Sequence, residues 1–118
     1  MEFEILDLDN VVEVDDSKKI DRSHFEEAAY LLKALANETR LCVIMQLSKN
    51  KEMTVTDLLE SAECEQSLLS HHLTDMRAKG ILSCRKRGRN NYYSLKDKRA
   101  TNLLKCIINC DTGELRLS

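Results

Sequence analysis

Apolar residues recur at helical spacing in five stretches of the chain, and a sixth stretch changes to strand-like runs. Phe25, Ala28, Ala29, Leu31, Leu32 and Leu35 predict a first helix to about Ala36, opened by Ser23 and Glu26 as a capping-box pair. Asn37 is a good N-cap for a second helix, which carries Leu41, Val43, Ile44, Met45 and Leu47 and ends near Lys49-Asn50-Lys51. Thr54, with Asp57 three positions on, opens a short third helix containing Leu58 and Leu59. A fourth helix follows at once, from about Gln66 to Ala78, with Leu68, Leu69, Leu73 and Met76 spaced to face inward and Gly80 just past its end. Then the period changes. Ile81-Leu82-Ser83-Cys84-Arg85-Lys86 and Asn91-Tyr92-Tyr93-Ser94-Leu95 read as two strands joined through Arg87-Gly88-Arg89-Asn90. A last helix, from about Lys98 to Asn109, carries Leu103, Leu104, Ile107 and Ile108. The fold class is mostly α with a small β-hairpin, in the order ααααββα.

These elements form one domain, 22–110, between an acidic N-terminal tail, 1–21, and a short C-terminal tail, 111–118. The first tail sets eight acids among Phe3, Ile5, Leu6, Leu8, Val11, Val12 and Val14 without steady periodicity. Two readings of it stay open, a solvating segment and one that lays its apolar residues on a partner subunit. A chain of 118 residues has no room for a separate catalytic domain. No apolar run approaches the roughly 20 residues of a membrane helix, and an acidic start is unlike a secretory signal, so a cytoplasmic protein without a membrane role is expected.

The net charge of −2, taken as an average, argues against a nucleic-acid partner, but the average misleads. Residues 22–118 hold sixteen bases and twelve acids, and from Arg77 to Arg99 nine bases face Asp97 alone. That stretch is the candidate phosphate-binding surface. It lies next to Thr54–Ala78, a short helix, a tight turn and a longer helix, the arrangement by which one helix braces another in the major groove. With Leu69, Leu73 and Met76 in the core, Gln66, Ser67, Ser70 and His71 face outward, where they can bond base edges and phosphates. Any amphipathic helix has a polar face, and any turn can be solvated. A helix-turn-helix followed by a hairpin tip of Arg85, Lys86, Arg87, Arg89 and Asn90, with Arg77 between them, is far more specific than either half.

At this level of detail residues 30–95 resemble the ArsR/SmtB family of winged-helix repressors. Leu32-Lys33-Ala34-Leu35-Ala36-Asn37-Glu38-Thr39-Arg40-Leu41 resembles the family's opening signature, Gln66-Ser67-Leu68-Leu69-Ser70-His71-His72-Leu73 its recognition helix, and Gly88-Arg89-Asn90-Asn91-Tyr92-Tyr93-Ser94-Leu95 its wing and returning strand. The resemblance implies a winged helix-turn-helix that dimerises through its first and last helices, represses transcription from a palindromic operator in double-stranded DNA, and releases it on an inducing signal. It gives Gln66, Ser67, Ser70 and His71 the groove-facing role and makes His72 a support of the helix. Two departures stand out: Glu63 replaces the family's turn glycine, and Glu65 its hydroxyl cap.

The family's usual metal sites are not reproduced. Thr54 and Thr56 stand where the soft-metal sensors have Cys-x-Cys, and threonine cannot replace a thiolate. Of the zinc-type site only Asp97 fits; Arg99, Cys110 and Gly113 occupy the remaining positions. No resident metal or cofactor is therefore expected. The five cysteines are an odd number at irregular spacing, unlike a disulfide scaffold. Cys64 and Cys84 read as small hydrophobes. Cys42, Cys106 and Cys110 are the sensor candidates. By resemblance to thiol-switch members, Cys42 and Cys106 or Cys110 would bridge on exposure to an oxidant or sulfur species. Cys106 and Cys110, one helical turn apart, could instead hold a soft metal or metalloid, and a constitutive binder with ordinary thiols is the third reading.

Catalysis is not expected, because the chain has no Ser/His/Asp order, Gly-rich phosphate loop or His/Glu metal motif. The alternative outside DNA binding is a winged-helix protein-interaction module without an inducer.

Overall fold

A computed structural model describes Ser17 and residues 19–109; the acidic tail through Asp16, Lys18, Cys110 and the C-terminal tail lie outside the described residues. The elements are α1 (Arg22–Leu35), α2 (Glu38–Lys49), β1 (Met53–Thr54), α3 (Val55–Ala62), α4 (Gln66–Ala78), β2 (Leu82–Arg87), β3 (Asn90–Leu95) and α5 (Arg99–Asn109). The five helices and the hairpin stand where the apolar spacing puts them.

The strand β1 is the addition. It pairs antiparallel with β3, Met53 opposite Tyr93 and Thr54 opposite Tyr92, giving a sheet in the order β1-β3-β2. Two residues are too few to show a period, and the partner lies some forty positions away, so nothing local marks the strand. The cap of α1 is also corrected. Asp21, not Ser23, is the N-cap: its side chain accepts the Ser23 backbone N–H, and the His24 ring nitrogen accepts the Asp21 backbone N–H.

Other termini follow the local chemistry. Asn37 accepts from the Arg40 N–H to cap α2, and Thr54 and Asp57 exchange bonds at the start of α3. At the end of α4 the Ile81 N–H reaches the Met76 carbonyl and the Gly80 N–H that of Arg77, with Gly80 at φ +79°. This is a Schellman ending, and it directs the chain into β2 with Met76 and Ile81 both buried. The hairpin turns through Gly88, whose φ of +63° suits the first central position of a two-residue turn.

The core is a single cluster around α2. Val43, Ile44 and Leu47 pack with Leu58 of α3, Leu69, Leu73 and Met76 of α4, Leu82 and Tyr93 of the sheet, and Ala100 and Leu104 of α5. From α1 only Leu31, Ala34 and Leu35 join it, while Phe25, Tyr30 and Leu32 remain exposed.

Glu63, in the turn between α3 and α4, is the one described non-glycine residue with positive φ, at 49°. A left-handed residue with a Cβ carries a cost of roughly 1–2 kcal/mol, part of which glycine returns through a more flexible unfolded chain. Glu63→Gly is therefore expected to stabilise the fold by about 0.5–1 kcal/mol. Urea denaturation at constant m checks it, and a midpoint at or below wild type would show that the turn is not strained.

Candidate nucleic-acid interface

The outward helix α4 is capped weakly at its start and held firmly through His72 and Asp75. The Glu65 carbonyl accepts the Leu69 N–H, but the Glu65 side chain makes no capping bond, so the first turn of α4 begins without a side-chain acceptor. Cys64, beside it, is half-buried against the core. The firmer hold comes from Arg40 in the first turn of α2, whose side chain is only 12% exposed. Its Nη1 donates to the Ala34 carbonyl at 2.9 Å and lies 2.7 Å from Asp75 Oδ2, while its Nε donates to His72 Nδ1 at 2.9 Å. Lys79 Nζ closes on the same Asp75 oxygen at 2.6 Å. One guanidinium thus joins the end of α1 to the middle of α4.

His72 is the buried polar residue of this clasp, 8% exposed. Burial lowers its pKa from 6.5, as do the neighbouring Arg40 and His71 charges, and Asp75 opposes them. Nδ1 must carry a lone pair to accept from Arg40, so the clasp holds the neutral ring. A folded-state pKa below the unfolded one means that stability is full above pH 6.5 and is lost as the pH falls toward the depressed value. Asp21, Glu52, Asp75 and Asp97 have lowered pKa values as well, so their losses come only below the ordinary carboxylate values of 3.8–4.5. Melting temperature should therefore decline in wild type as the pH falls below 6.5, before the carboxylates begin to contribute. In His72→Asn, which keeps an acceptor near Nδ1, the decline should be shallower; equal slopes would remove His72 as its source.

With its inner side fixed, α4 turns Gln66, Ser67 and His71 to solvent, with Ser70 half-buried. Leu68 departs from expectation. It is 46% exposed, whereas Leu69, Leu73 and Met76 are fully buried. The inward stripe of α4 runs through Leu69, His72, Leu73 and Met76, so a histidine holds a position that apolar spacing alone would not assign.

The wing lies beyond the Schellman ending. Arg85 lies antiparallel to Tyr92, its guanidinium 5.5 Å from that ring, and forms a two-pronged pair with Glu52: Nε to Oε2 at 2.6 Å and Nη2 to Oε1 at 2.9 Å. Arg85 is thus engaged in holding the wing to the segment before β1, and the bond holds the Glu52 carboxyl below its usual pKa. Lys79 and Arg99 are likewise committed, to Asp75 and to Asp97 and Glu27. Lys86, Arg87 and Arg89 have no carboxylate partner among the described residues, and they are exposed with Asn90 at the tip. Arg77, in the last turn of α4, is exposed as well. No sequence signal paired Glu52 with Arg85 or Arg40 with His72, because each pair is more than thirty residues apart in the chain.

The thiols are dispersed. Cys42 Sγ donates to the Ser61 carbonyl at the end of α3, at 3.4 Å. Cys106 is exposed in a groove between α1 and α5, lined by Ala28, Leu31, Leu32 and Leu103. Met45, Leu47, Ser48 and Lys49 of α2 lie beside α5, and Ser48 hydrogen-bonds Thr101 at 2.7 Å. Cys42 sits beside α3 and Cys106 beside α1, and both are free thiols. Cys84 and Cys64 both pack against the core.

A helix-turn-helix with a polar outer face, followed by a hairpin whose basic tip is unpaired, defines a winged-helix DNA-binding protein. The model of the bacterial regulatory protein arsR family matches residues 37–83. The chain is 32% identical over 83 residues to an uncharacterized HTH-type transcriptional regulator of Methanocaldococcus jannaschii, covering 70% of this chain and 93% of that one. It is 33% identical over 89 residues to the transcriptional repressor PagR of Bacillus anthracis, 75% of this chain and 89% of the other. Among solved structures, the AntR antimony-specific transcriptional repressor superposes with a TM-score of 0.74 at 26% identity, over 87% of this chain and 94% of that one. The chain belongs to the arsR family of transcriptional regulators.

Proposed function

We propose that the protein is a homodimeric repressor that binds a palindromic operator in double-stranded DNA and leaves it on an inducing signal. The observation that carries this is the exposed face of α4 standing beside a wing whose Lys86, Arg87 and Arg89 are unpaired. Gln66, Ser67, Ser70 and His71 read base edges in the major groove, and Arg77, Lys86, Arg87, Arg89 and Asn90 hold the backbone. Arg85 braces the wing. The dimer seam is α1 with α5, where Phe25, Tyr30, Leu32, Ile107 and Ile108 are exposed, Phe25 and Ile107 each at 67%. Helices that bury so little of their apolar surface alone need a second copy to cover them.

The signal acts at Cys106 and Cys110, with Cys42 the remaining candidate partner for a bridge. Cys106 is an exposed thiol in an apolar groove at that seam, and Cys110 follows it by four residues. An oxidant, a reactive sulfur species or a soft metal ion attacking there would alter the packing that sets the spacing of the two reading helices.

Fluorescence anisotropy on the DNA upstream of the protein's own gene, titrated with salt, tests both parts. A steep loss of affinity with salt is expected, together with release by oxidant, persulfide donor or arsenite that Cys106→Ser abolishes. Salt-insensitive or absent binding would instead favour a protein-interaction module. Release that survives in Cys106→Ser would move the sensor elsewhere.

A further inference from the structure

We infer that Leu68 is a specificity-determining residue of the reading helix and contacts the C5-methyl group of a thymine in each half-site. The inference rests on the DNA-binding function proposed above.

The exposed large apolar side chains of the described residues fall into two sets. Phe25, Tyr30, Leu32, Ile107 and Ile108, with Ile20 just ahead of α1, belong to the seam of α1 and α5. Leu68 is the remaining one, in the first turn of α4 between Gln66, Ser67, Ser70 and His71. It joins neither the seam nor the core, whose share of this helix is taken by Leu69, His72, Leu73 and Met76. The first turn of a recognition helix is the part that enters the major groove, so a side chain leaving it on the groove side meets base edges before it meets phosphates.

What such a side chain can read follows from its chemistry. Leucine neither donates nor accepts a hydrogen bond, so it cannot tell guanine from adenine by their acceptors. The major groove offers one apolar feature, the thymine methyl group, and apolar side chains recognise it by contact. Placed against cytosine, Leu68 would desolvate the N4 donor without replacing its bond. The leucine therefore selects for thymine by attraction and against cytosine by exclusion, next to polar side chains that read hydrogen bonds.

The experiment selects binding sites from a random duplex library with wild type and Leu68→Ala, then replaces each half-site thymine in the selected duplex by deoxyuridine, which lacks only the methyl group. Wild type should lose about fourfold in affinity at one position per half-site, the worth of one buried methyl group. Leu68→Ala should lose the thymine preference at that position and become indifferent to deoxyuridine there, with an unchanged melting temperature. Selection of the same sequence by Leu68→Ala with equal deoxyuridine sensitivity would overturn the assignment, as would wild-type indifference at every thymine. Failure of wild type to enrich any sequence would overturn the DNA-reading function itself, and the two failures are distinct in the readout.

Discussion

Arg40→Met should lower stability by about 3 kcal/mol, because it removes the buried cation of the clasp while its partners stay in place. The Ala34 carbonyl and His72 Nδ1 would each lose their Arg40 bond, and Asp75 would keep Lys79 alone. For a domain of this size, that loss corresponds to a fall in melting temperature of more than about 10 °C. Methionine matches the length of the aliphatic stem, so little packing is lost with the charge. Arg40→Lys should recover only part, since a single ammonium cannot span the carbonyl, the ring nitrogen and the carboxylate that two guanidinium nitrogens reach. Thermal denaturation at pH 7.5 is the measurement. A loss below about 1 kcal/mol for Arg40→Met would mean that α4 is held by its apolar stripe alone.

The second large effect is on DNA. Lys86→Ala, Arg87→Ala and Arg89→Ala together should weaken operator binding by at least about 100-fold near physiological salt and leave stability within about 0.5 kcal/mol. The side chains are exposed and unpaired, so the folded state loses no contact with them. Each phosphate contact removed should also flatten the plot of log affinity against log salt by about 0.9. The informative control is Arg85→Ala. Its guanidinium is already matched by Glu52, so the salt slope should change much less than with any one of the other three. If Arg85→Ala flattens the slope as much as Arg87→Ala does, the Glu52 pair opens on the DNA.

Where the chain was legible, a local rule and the tertiary structure agreed. The bounds of α4 follow from its apolar spacing and from a glycine that only the Schellman ending requires, and the hairpin follows from Gly88 between two strand-like runs. Glu65 is the poor cap its side chain implies, and Glu63 takes the left-handed conformation that a glycine would take without cost. What stayed hidden depends on distant partners. Nothing near Glu52 announces Arg85, and nothing near Met53 announces Tyr93. Leu68 misled for a different reason: it fits the helical period, but the core cluster does not extend to the first turn of α4 on its side. Periodicity identifies which residues could be buried, and the neighbouring elements decide which are. The thiols show the same limit, since a cysteine on α2 was evident while the side of α2 it occupies was not.

The three-stranded sheet also bears on self-association. Its order leaves β1 at one edge and β2 at the other. One edge is only two residues long, and the outer half of the other is Arg85-Lys86-Arg87. Short edges and charged edges are two ways in which proteins prevent strands of separate copies from pairing. By the same rule the basic wing disfavours pairing between the β2 edges of separate copies. A wing stripped of charge loses that protection, and such variants should be handled at low concentration so that edge-to-edge pairing is not mistaken for a defect in DNA binding.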